Sequence, residues 1–406
     1  MTSKQFYVML IVIVISMKVQ RLPCIIYGEV GKDGWITLLL YLAVNLIGIL
    51  LAFYILKKTK NLSLEQRCKT GIGEFFKRLL LITVAFYFLM QALLLYESMQ
   101  NLFEHTLFEN LPWNLFSLLL LVCIFYLATT GLKKLALSFE LYFVILILGY
   151  IILSVLGTTT TDFTEMLPFN TINMKEIASS FSKFNLWFGD FFLILFIGKG
   201  AKNIKLSWTV LTYSIAMLFV LFLNLVFVGI YLEYATIQSS LISMIAEQSM
   251  LGLNIGRVDW LLILIVEIGT ILSCAVCFFL SGKCLHAVVP KIKFGYVLAF
   301  LAAILYVFDV AYLVDTHTRQ LAILNIFSIV SIAIKLTVLV VLLILSMSIK
   351  INKNDANHKQ EQPVVSDDKI KTKKRTKELL GSNKSSGIAK DMPQAQKRRR
   401  NKYETN

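Results

Sequence analysis

The first apolar segment of the chain is interrupted at residues 16–23, which read Ser16-Met17-Lys18-Val19-Gln20-Arg21-Leu22-Pro23. Proline cannot donate a backbone hydrogen bond, and its ring clashes with the preceding helical turn. Cationic and amide side chains at membrane depth are unfavourable unless they face protein or water. We therefore predict that the helix containing this stretch is broken.

A second apolar segment, at residues 184–197, is also interrupted. It is short, it contains Phe188-Gly189-Asp190, and Gly198-Lys199-Gly200 closes it. Glycine weakens a helix interior, and an acidic side chain is unfavourable in hydrocarbon. This segment is therefore also predicted to be discontinuous.

The two interrupted segments are the first and the sixth in a series of ten apolar segments. Hydrophobic residues make up 57% of the chain and charged residues 16%, and the mean hydropathy is +0.71. Since a bilayer-spanning helix needs about 20 mostly apolar residues, we predict an all-α polytopic membrane protein. The predicted spans are 6–26, 35–56, 79–96, 115–132, 137–156, 184–197, 208–231, 260–280, 294–314 and 321–349.

Basic residues set the predicted orientation, because cytoplasmic loops retain Lys and Arg during insertion. The segment after span two carries Lys57, Lys58, Lys60, Arg67, Lys69, Lys77 and Arg78, whereas the segment after span three carries Glu97, Glu104 and Glu109. Later loops continue this alternation. Both termini are therefore predicted to be cytoplasmic. The N-terminal apolar run contains Lys18 and Arg21 and has no small-residue cleavage site, so it is interpreted as a retained helix rather than a signal peptide.

Signatures of enzyme chemistry are absent from the sequence. There is no HExxH motif, nucleophile elbow or phosphate-binding loop, and the four His residues are scattered. We therefore expect a protein that is not an enzyme, with no catalytic residue, no metal site and no cofactor.

The position of the two interruptions suggests an internal repeat. If ten spans form two repeats of five, the odd number inverts the second repeat in the membrane, and spans one and six correspond. Discontinuous helices at matching positions of two halves are typical of transporter binding sites, because freed backbone groups can coordinate a ligand near the midplane. We therefore predict a five-plus-five inverted repeat with helices one and six broken.

Several short motifs together resemble the spore germination B-subunit family, the endospore germination permeases. At the N-terminus these are Ser3-Lys4-Gln5, Leu22-Pro23 and Gly31-Lys32-Asp33-Gly34-Trp35-Ile36. Further along, Phe188-Gly189-Asp190 resembles the Phe-Gly-Glu of the family's sixth helix, and Gly256-Arg257-Val258-Asp259-Trp260 resembles its Arg-x-Asp entry to helix eight. The resemblance covers residues 2–350 in order and spacing.

This resemblance implies the fold of the amino acid, polyamine and organocation transporter superfamily. It also implies a germinant-recognition subunit in the spore inner membrane, which works with an A subunit and a lipoprotein C subunit and reports a small nutrient such as an amino acid. The implied ligand-binding residues are Ser16, Met17, Lys18, Gln20, Arg21, Leu22, Trp187, Phe188, Gly189 and Asp190. This chain departs from the family pattern, since Ser16 takes a glycine-like position, Lys18 and Arg21 add two cations, and Asp190 replaces Glu.

The ionisable residues within the spans predict internal pairing, since an isolated charge in hydrocarbon is unfavourable. We hypothesise that Asp190 pairs with Lys18 or Arg21. Lys18 either provides the positive charge that sodium supplies in some transporters of this fold, or forms a structural salt bridge. A possible charge network comprises Glu140, Glu267, Asp309 and Lys335, with Lys335 pairing with Asp309; alternatively each glutamate bonds a neighbour such as Ser138, Thr270 or Asn224.

Residues 350–406 are predicted to be a separate, disordered basic tail following a membrane domain at 1–349. The tail holds 16 Lys and Arg against 7 Asp and Glu, which gives +9 of the chain's net charge of +15. Such a tail is attracted to anionic lipids, although RNA or protein binding through Lys397–Arg400 is an alternative; overall, no nucleic acid partner is expected. Residues 232–256 are predicted to form an amphipathic interfacial helix.

Three functions remain open from the sequence. The first is a nutrient sensor that triggers spore germination, and the second is a secondary transporter of amino acids or amines. The third, a structural scaffold, is disfavoured because a scaffold has no need of broken helices. Lys18 and Arg21 favour an anionic or zwitterionic ligand.

Overall fold

The computed structural model describes residues 1–58, 74–106, 113–161, 174–201, 203–231, 259–313 and 317–348. All regular secondary structure in these ranges is helical. The α-helices are α1 (Ser3–Val19), α2 (Leu22–Val30), α3 (Gly34–Lys58), α4 (Glu74–Thr106), α5 (Trp113–Thr129), α6 (Leu132–Thr160), α7 (Met174–Lys183), α8 (Asp190–Ile197), α9 (Leu206–Tyr231), α10 (Asp259–Val288), α11 (Phe294–Phe308) and α12 (His317–Ser348). Short 3₁₀ turns occupy Gly31–Asp33, Asn185–Trp187 and Gly198–Gly200, and a π-helical segment, Asp309–Leu313, follows α11.

Seven helical segments in the described ranges are long and apolar enough to cross a membrane: Leu22–Lys58, Glu74–Phe103, Leu132–Thr158, Leu206–Ile230, Leu262–Val288, Phe294–Ala311 and Ile323–Ser346. An eighth span is obtained if the pair Lys175–Lys183 and Asn185–Ile197, which is bent by 56°, counts as one. The predicted all-helical, multi-pass architecture is therefore confirmed. α1, with 17 residues, and the apolar part of α5, Phe116–Thr129, are shorter than the other candidates.

The first helix begins and ends for reasons visible in its sequence. Thr2 caps α1, since its hydroxyl accepts a hydrogen bond from the backbone of Gln5 while the Gln5 side chain accepts one from the backbone of Thr2. α1 ends at Val19. The carbonyl of Val19 cannot accept the usual helical bond from residue 23, because Pro23 has no N–H. The chain resumes as α2 at Leu22, so the predicted break in the first helix is confirmed.

α1, α4 and α10 lie at the centre of the helix bundle. α10 packs along α4, and α1 packs against α6, α9 and α10. Of the 18 most apolar consecutive residues in Leu262–Val288, 78% are buried, whereas in Phe294–Ala311 only 28% are buried. Exposed apolar side chains cover the outer helices, as expected for a surface that faces lipid, and include Leu141, Val144, Tyr296, Val307 and Ile329.

Several predicted features lie outside the described residues. These are the tail at 350–406, the interfacial helix at 232–256 and most of the basic segment at 57–78. The division into domains at 1–349 and 350–406 therefore stays a prediction.

Candidate functional site

The break between α1 and α2 places a row of polar side chains inside the protein. Ser16, Lys18, Gln20 and Arg21 are between 0% and 4% exposed, although they interrupt an otherwise apolar segment. Because polar groups buried this deeply need hydrogen-bond partners, their contacts show which helices the break connects. The apolar side chains of Met17 and Leu22, which complete the predicted set in this helix, are also buried.

Lys18 joins the two broken helices. Its Nζ lies 2.9 Å from each carboxylate oxygen of Asp190, the first residue of α8. The Tyr213 hydroxyl on α9 donates to the same carboxylate at 3.0 Å. Both Lys18 and Asp190 are fully buried, and the N-terminus of α8 further favours a negative charge. The hypothesised pairing of Asp190 with Lys18 is therefore present.

Arg21 pairs with Glu97 on α4 rather than with Asp190. Both side chains are buried, so this second ion pair fastens the start of α2 to α4. Glu97 was predicted to lie in the loop after span three, because the apolar stretch of that span ends at residue 96. α4 instead continues to Thr106, and Glu97 lies inside it.

The break in the sixth predicted span exposes backbone carbonyls that side chains from other helices bind. Lys335 on α12 donates to the carbonyl oxygens of Asn185, at 2.5 Å, and Phe188, at 3.2 Å, and also to the Asn185 side chain. Gln91 on α4 donates to the carbonyl of Leu186. These bonds replace those that a continuous helix would make within itself.

Aromatic rings line the unwound segment between α7 and α8. The Phe188 ring stacks on Tyr41 with centroids 3.6 Å apart, and Tyr41 also stacks on Phe181 at 4.4 Å. Lys18 Nζ lies 5.3 Å from the centroid of Phe188, close enough for a cation–π interaction. Trp187 is also buried, and its ring lies edge to face with that of Phe184.

Gly189 lies where a side chain has no room. A Cβ atom on this residue would overlap the hydroxyl group of Tyr87 on α4. The glycine therefore allows α4 to approach the start of α8 closely.

Gln20 connects the first break to α10. Its Nε2 donates to Glu267 Oε1 and to Thr270 Oγ1, the latter at 2.9 Å. One turn earlier in the chain, the Ser16 hydroxyl lies 3.3 Å from that of Tyr150 on α6. Gln20 Oε1 and Glu267 Oε2 are buried and have no hydrogen-bond partner among the described residues.

The four residues of the predicted charge network, Glu140, Glu267, Asp309 and Lys335, each contact other groups. In the described part of the chain, no ion pair or hydrogen bond joins any two of these four residues. Glu140 is 29% exposed and bonds Lys4, at 3.2 Å, and Gln5, at 3.0 Å. Among the described residues, neither Glu140 nor Glu267 hydrogen-bonds Ser138, Thr270 or Asn224 directly. Glu267 and Thr270 instead both accept a hydrogen bond from the Gln20 amide.

The predicted pairing of Lys335 with Asp309 is not observed between these two described residues. Asp309 is fully buried at the start of the π-helical segment, and its Oδ2 accepts from Gln100 at 2.9 Å and from Ser117 at 2.7 Å. The two residues lie in neighbouring spans of the sequence. The rotation of α12 nevertheless directs Lys335 to the carbonyls of the broken sixth span.

Four residues that sequence reasoning did not select support the site. They are Tyr87, Gln91, Glu97 and Tyr213, and each hydrogen-bonds or closely approaches a broken helix. A polar residue in an apolar span was the available signal for Gln91. The tyrosines had no such signal, because 16 of them are distributed along the chain and nothing in the sequence distinguishes these two.

Comparison with known proteins gives two matches. A family model described as "Spore germination protein" matches residues 1–319. "Spore germination protein A2" of Bacillus subtilis (strain 168) is 26% identical over 176 residues, which cover 43% of this chain and 48% of that protein. The match therefore spans about half the length of this curated relative.

Proposed function

The chain belongs to the spore germination protein family, and from this premise we propose that it is the ligand-recognition subunit of a germinant receptor in the spore inner membrane. The proposed ligand is a small nutrient such as an amino acid, and its binding triggers germination. The observation that carries the proposal is the meeting of two broken helices at the buried pair of Lys18 and Asp190.

The proposed fold is a five-plus-five inverted repeat of ten membrane helices. In this arrangement α1 with α2, and also α5, cross the membrane in addition to the longer helices. The breaks at residues 20–21 and 184–189 then fall in helices one and six, as in transporters that bind their substrate near the midplane.

The proposed ligand pocket lies between these breaks, at residues 16–22 and 187–190. The support is the concentration of buried polar side chains and freed carbonyl groups in an otherwise apolar bundle. The pair of Lys18 with Asp190 holds the two breaks together, so it positions the pocket.

The proposed partners are an A subunit and a lipoprotein C subunit, together with the lipids of the membrane. The relative's name, a spore germination protein, supports a role in germination. The alternation of basic and acidic loops supports an orientation with both termini in the cytoplasm.

The test uses spores that lack this chain and every redundant germinant receptor, complemented with the wild type or with Ser16→Leu. The larger side chain would crowd Tyr150 on α6 and Gly269 on α10, which lie next to Ser16. We expect the wild type to restore germination with one class of nutrient and Ser16→Leu to lose that response at equal protein level in the membrane. Lys4→Gln is the matched control, because Lys4 is 77% exposed and remote from the breaks. If the wild type restored no response to any amino acid, sugar or nucleoside, the sensor proposal would be abandoned.

A secondary transporter of amino acids or amines is the alternative. The two broken helices favour it equally, because a transporter needs the same pocket. Uptake of radiolabelled amino acids by proteoliposomes separates the functions. Concentrative uptake at rates that scale with the protein would favour transport, whereas binding without uptake would favour the sensor.

A further inference from the structure

Among the described residues, the buried charges around the first break leave the acidic residue Glu267 without a cationic partner. Lys18 is balanced by Asp190, and Arg21 by Glu97. Glu267 is 1% exposed, and its partner among the described residues is the uncharged amide of Gln20. A buried carboxylate with no counter-charge is strongly unfavourable in a membrane bundle, so a cationic ligand at the break would stabilise its charged form.

The groups around Glu267 present an excess of hydrogen-bond acceptors. Gln20 gives its amide N–H group to Glu267 Oε1 and Thr270 Oγ1, which leaves Gln20 Oε1 and Glu267 Oε2 without partners in the described part of the chain. The Val19 carbonyl lacks its helical donor because residue 23 is proline. These acceptors are contributed by the C-terminal end of α1, where the helix dipole is negative, and by the middle of α10.

The chemistry that satisfies such a set is a small cation with several N–H donors. A primary ammonium group has three donors and no acceptor, so it matches two or three unpaired oxygens and balances the charge of Glu267. A carboxylate or a neutral hydroxyl group would leave that charge unbalanced. The cations that suggested an anionic ligand from the sequence are already neutralised by Asp190 and Glu97.

We propose that Glu267 and Gln20, with the backbone at the end of α1, bind the primary ammonium group of the germinant. This inference rests on the proposed function, and it restricts the ligand to amines and amino acids. Glu267 makes the ionic contact, Gln20 orients the carboxylate and accepts one N–H, and Thr270 holds the Gln20 amide.

The experiment measures ligand-induced shifts of the thermal unfolding midpoint of the purified full-length chain. The probes are matched sets in which one charged group is removed from an amino acid. Two such sets are L-alanine, ethylamine and propionate, and L-valine, isobutylamine and isovalerate; glucose and inosine are included as uncharged probes. We expect an amino acid and its amine to stabilise the protein, and the corresponding acid to give no shift.

The strongest binder is then titrated against variants. Glu267→Gln should weaken binding by about tenfold to a hundredfold, because an ionic hydrogen bond is replaced by a neutral one. Asp309→Asn is the matched control, since it also neutralises a buried carboxylate but one bound to Gln100 and Ser117. It should change the Kd by less than about twofold.

Each failure has a distinct meaning. Equal binding of the acid and the amino acid, or unchanged affinity in Glu267→Gln, would overturn the ammonium site and leave the sensor function standing. Binding that disappears when sodium is replaced by choline would assign Glu267 to an inorganic cation and also overturn it. Absence of any binding would overturn both proposals. If Glu267→Gln fails to fold, the probe sets on the wild type decide the question alone.

Discussion

At the residue scale, the buried ion pair of Lys18 and Asp190 is the contact with the clearest energetic signature. Removing one member of a buried pair leaves the other charge unbalanced, which costs about 3–5 kcal/mol, whereas removing both costs less. We expect Lys18→Met and Asp190→Asn each to lower the stability of the purified protein by about this amount, and the double variant to be more stable than either. Denaturant titration in mixed micelles measures the three values.

The matched control is Lys4→Met, which breaks a peripheral ion pair with Glu140. Because Lys4 is 77% exposed, its loss should change stability by no more than about 0.5 kcal/mol. Additive losses in the double variant of Lys18 and Asp190 would contradict the direct coupling of the two side chains.

Close packing of Gly189 against Tyr87 gives the second prediction. Because an added Cβ would overlap the Tyr87 hydroxyl, Gly189→Ala should destabilise the protein by roughly 1–3 kcal/mol. Tyr87→Phe removes the overlapping oxygen, so it should restore part of the loss in the double variant. Gly28→Ala is the control, since no atom lies within 4 Å of its added Cβ. Thermal unfolding compares the four variants, and equal stability of the Gly189 and Gly28 variants would refute the close approach.

Sequence reasoning selected the polar residues of the first break but not all of their partners. Lys18, Gln20 and Arg21 stood out because charged and amide groups are unfavourable in an apolar segment, and the pairing of Lys18 with Asp190 followed from their corresponding positions in two repeats. Glu97 did not, because hydropathy ended its span one residue earlier. Which acid faces which cation depends on the rotation of each helix, and a uniformly apolar helix gives no periodicity from which to read that rotation.

At the element scale, Lys335 holds the unwound segment between α7 and α8 in place through the carbonyls of Asn185 and Phe188. We expect Lys335→Met to loosen this segment and to speed hydrogen exchange of the Trp187 and Phe188 amides by about tenfold or more. These amides are bonded within the same segment, to Phe184 and Asn185. Hydrogen–deuterium exchange with peptide-level mass spectrometry measures the change.

Lys283→Met is the control variant, because it removes a lysine that does not contact the unwound segment. Lys283 is exposed at the end of α10 and lies over the ring of Phe279, so its removal should leave the exchange of residues 184–190 unchanged. Equal exchange in Lys335→Met and the wild type would show that Gln91 and the local turns suffice to order the segment.

The two helix breaks were predictable because proline, glycine and charged residues disrupt apolar helices by local physics alone. The support of those breaks was not. Lys335 was predicted to pair with Asp309, but α12 packs beside the Asn185–Trp187 turn, and Asp309 lies in a π-helical segment that bonds α4 and α5. Such contacts depend on how the helices are arranged around each other, which the local sequence does not specify.

At the scale of the whole molecule, hydropathy alone predicted a multi-pass helical protein. In the structure, the helices divide into a central group and an outer group whose apolar side chains face lipid. The centre consists of α1, α4 and α10, which carry Lys18, Glu97 and Glu267, three of the buried charged residues around the first break. The seven long apolar segments of the described ranges have similar mean hydropathy, so the choice of central helices could be inferred only from the polar residues that they carry. Buried polar groups therefore mark the interior of a membrane bundle more reliably than apolar ones.

The orientation of the molecule gives the final prediction, because the basic segment at 57–78 should face the cytoplasm. Cys68 lies in this segment, and we expect a membrane-impermeant maleimide to label it in inverted vesicles but not in intact cells. A cysteine introduced by Asn110→Cys, after span three, should show the opposite pattern. Cys68→Ser provides the background, because Cys24, Cys274, Cys277 and Cys284 are buried and Cys123 lies on an apolar helix. Labelling of Cys68 from outside intact cells would reverse the proposed topology and place both termini on the outer side.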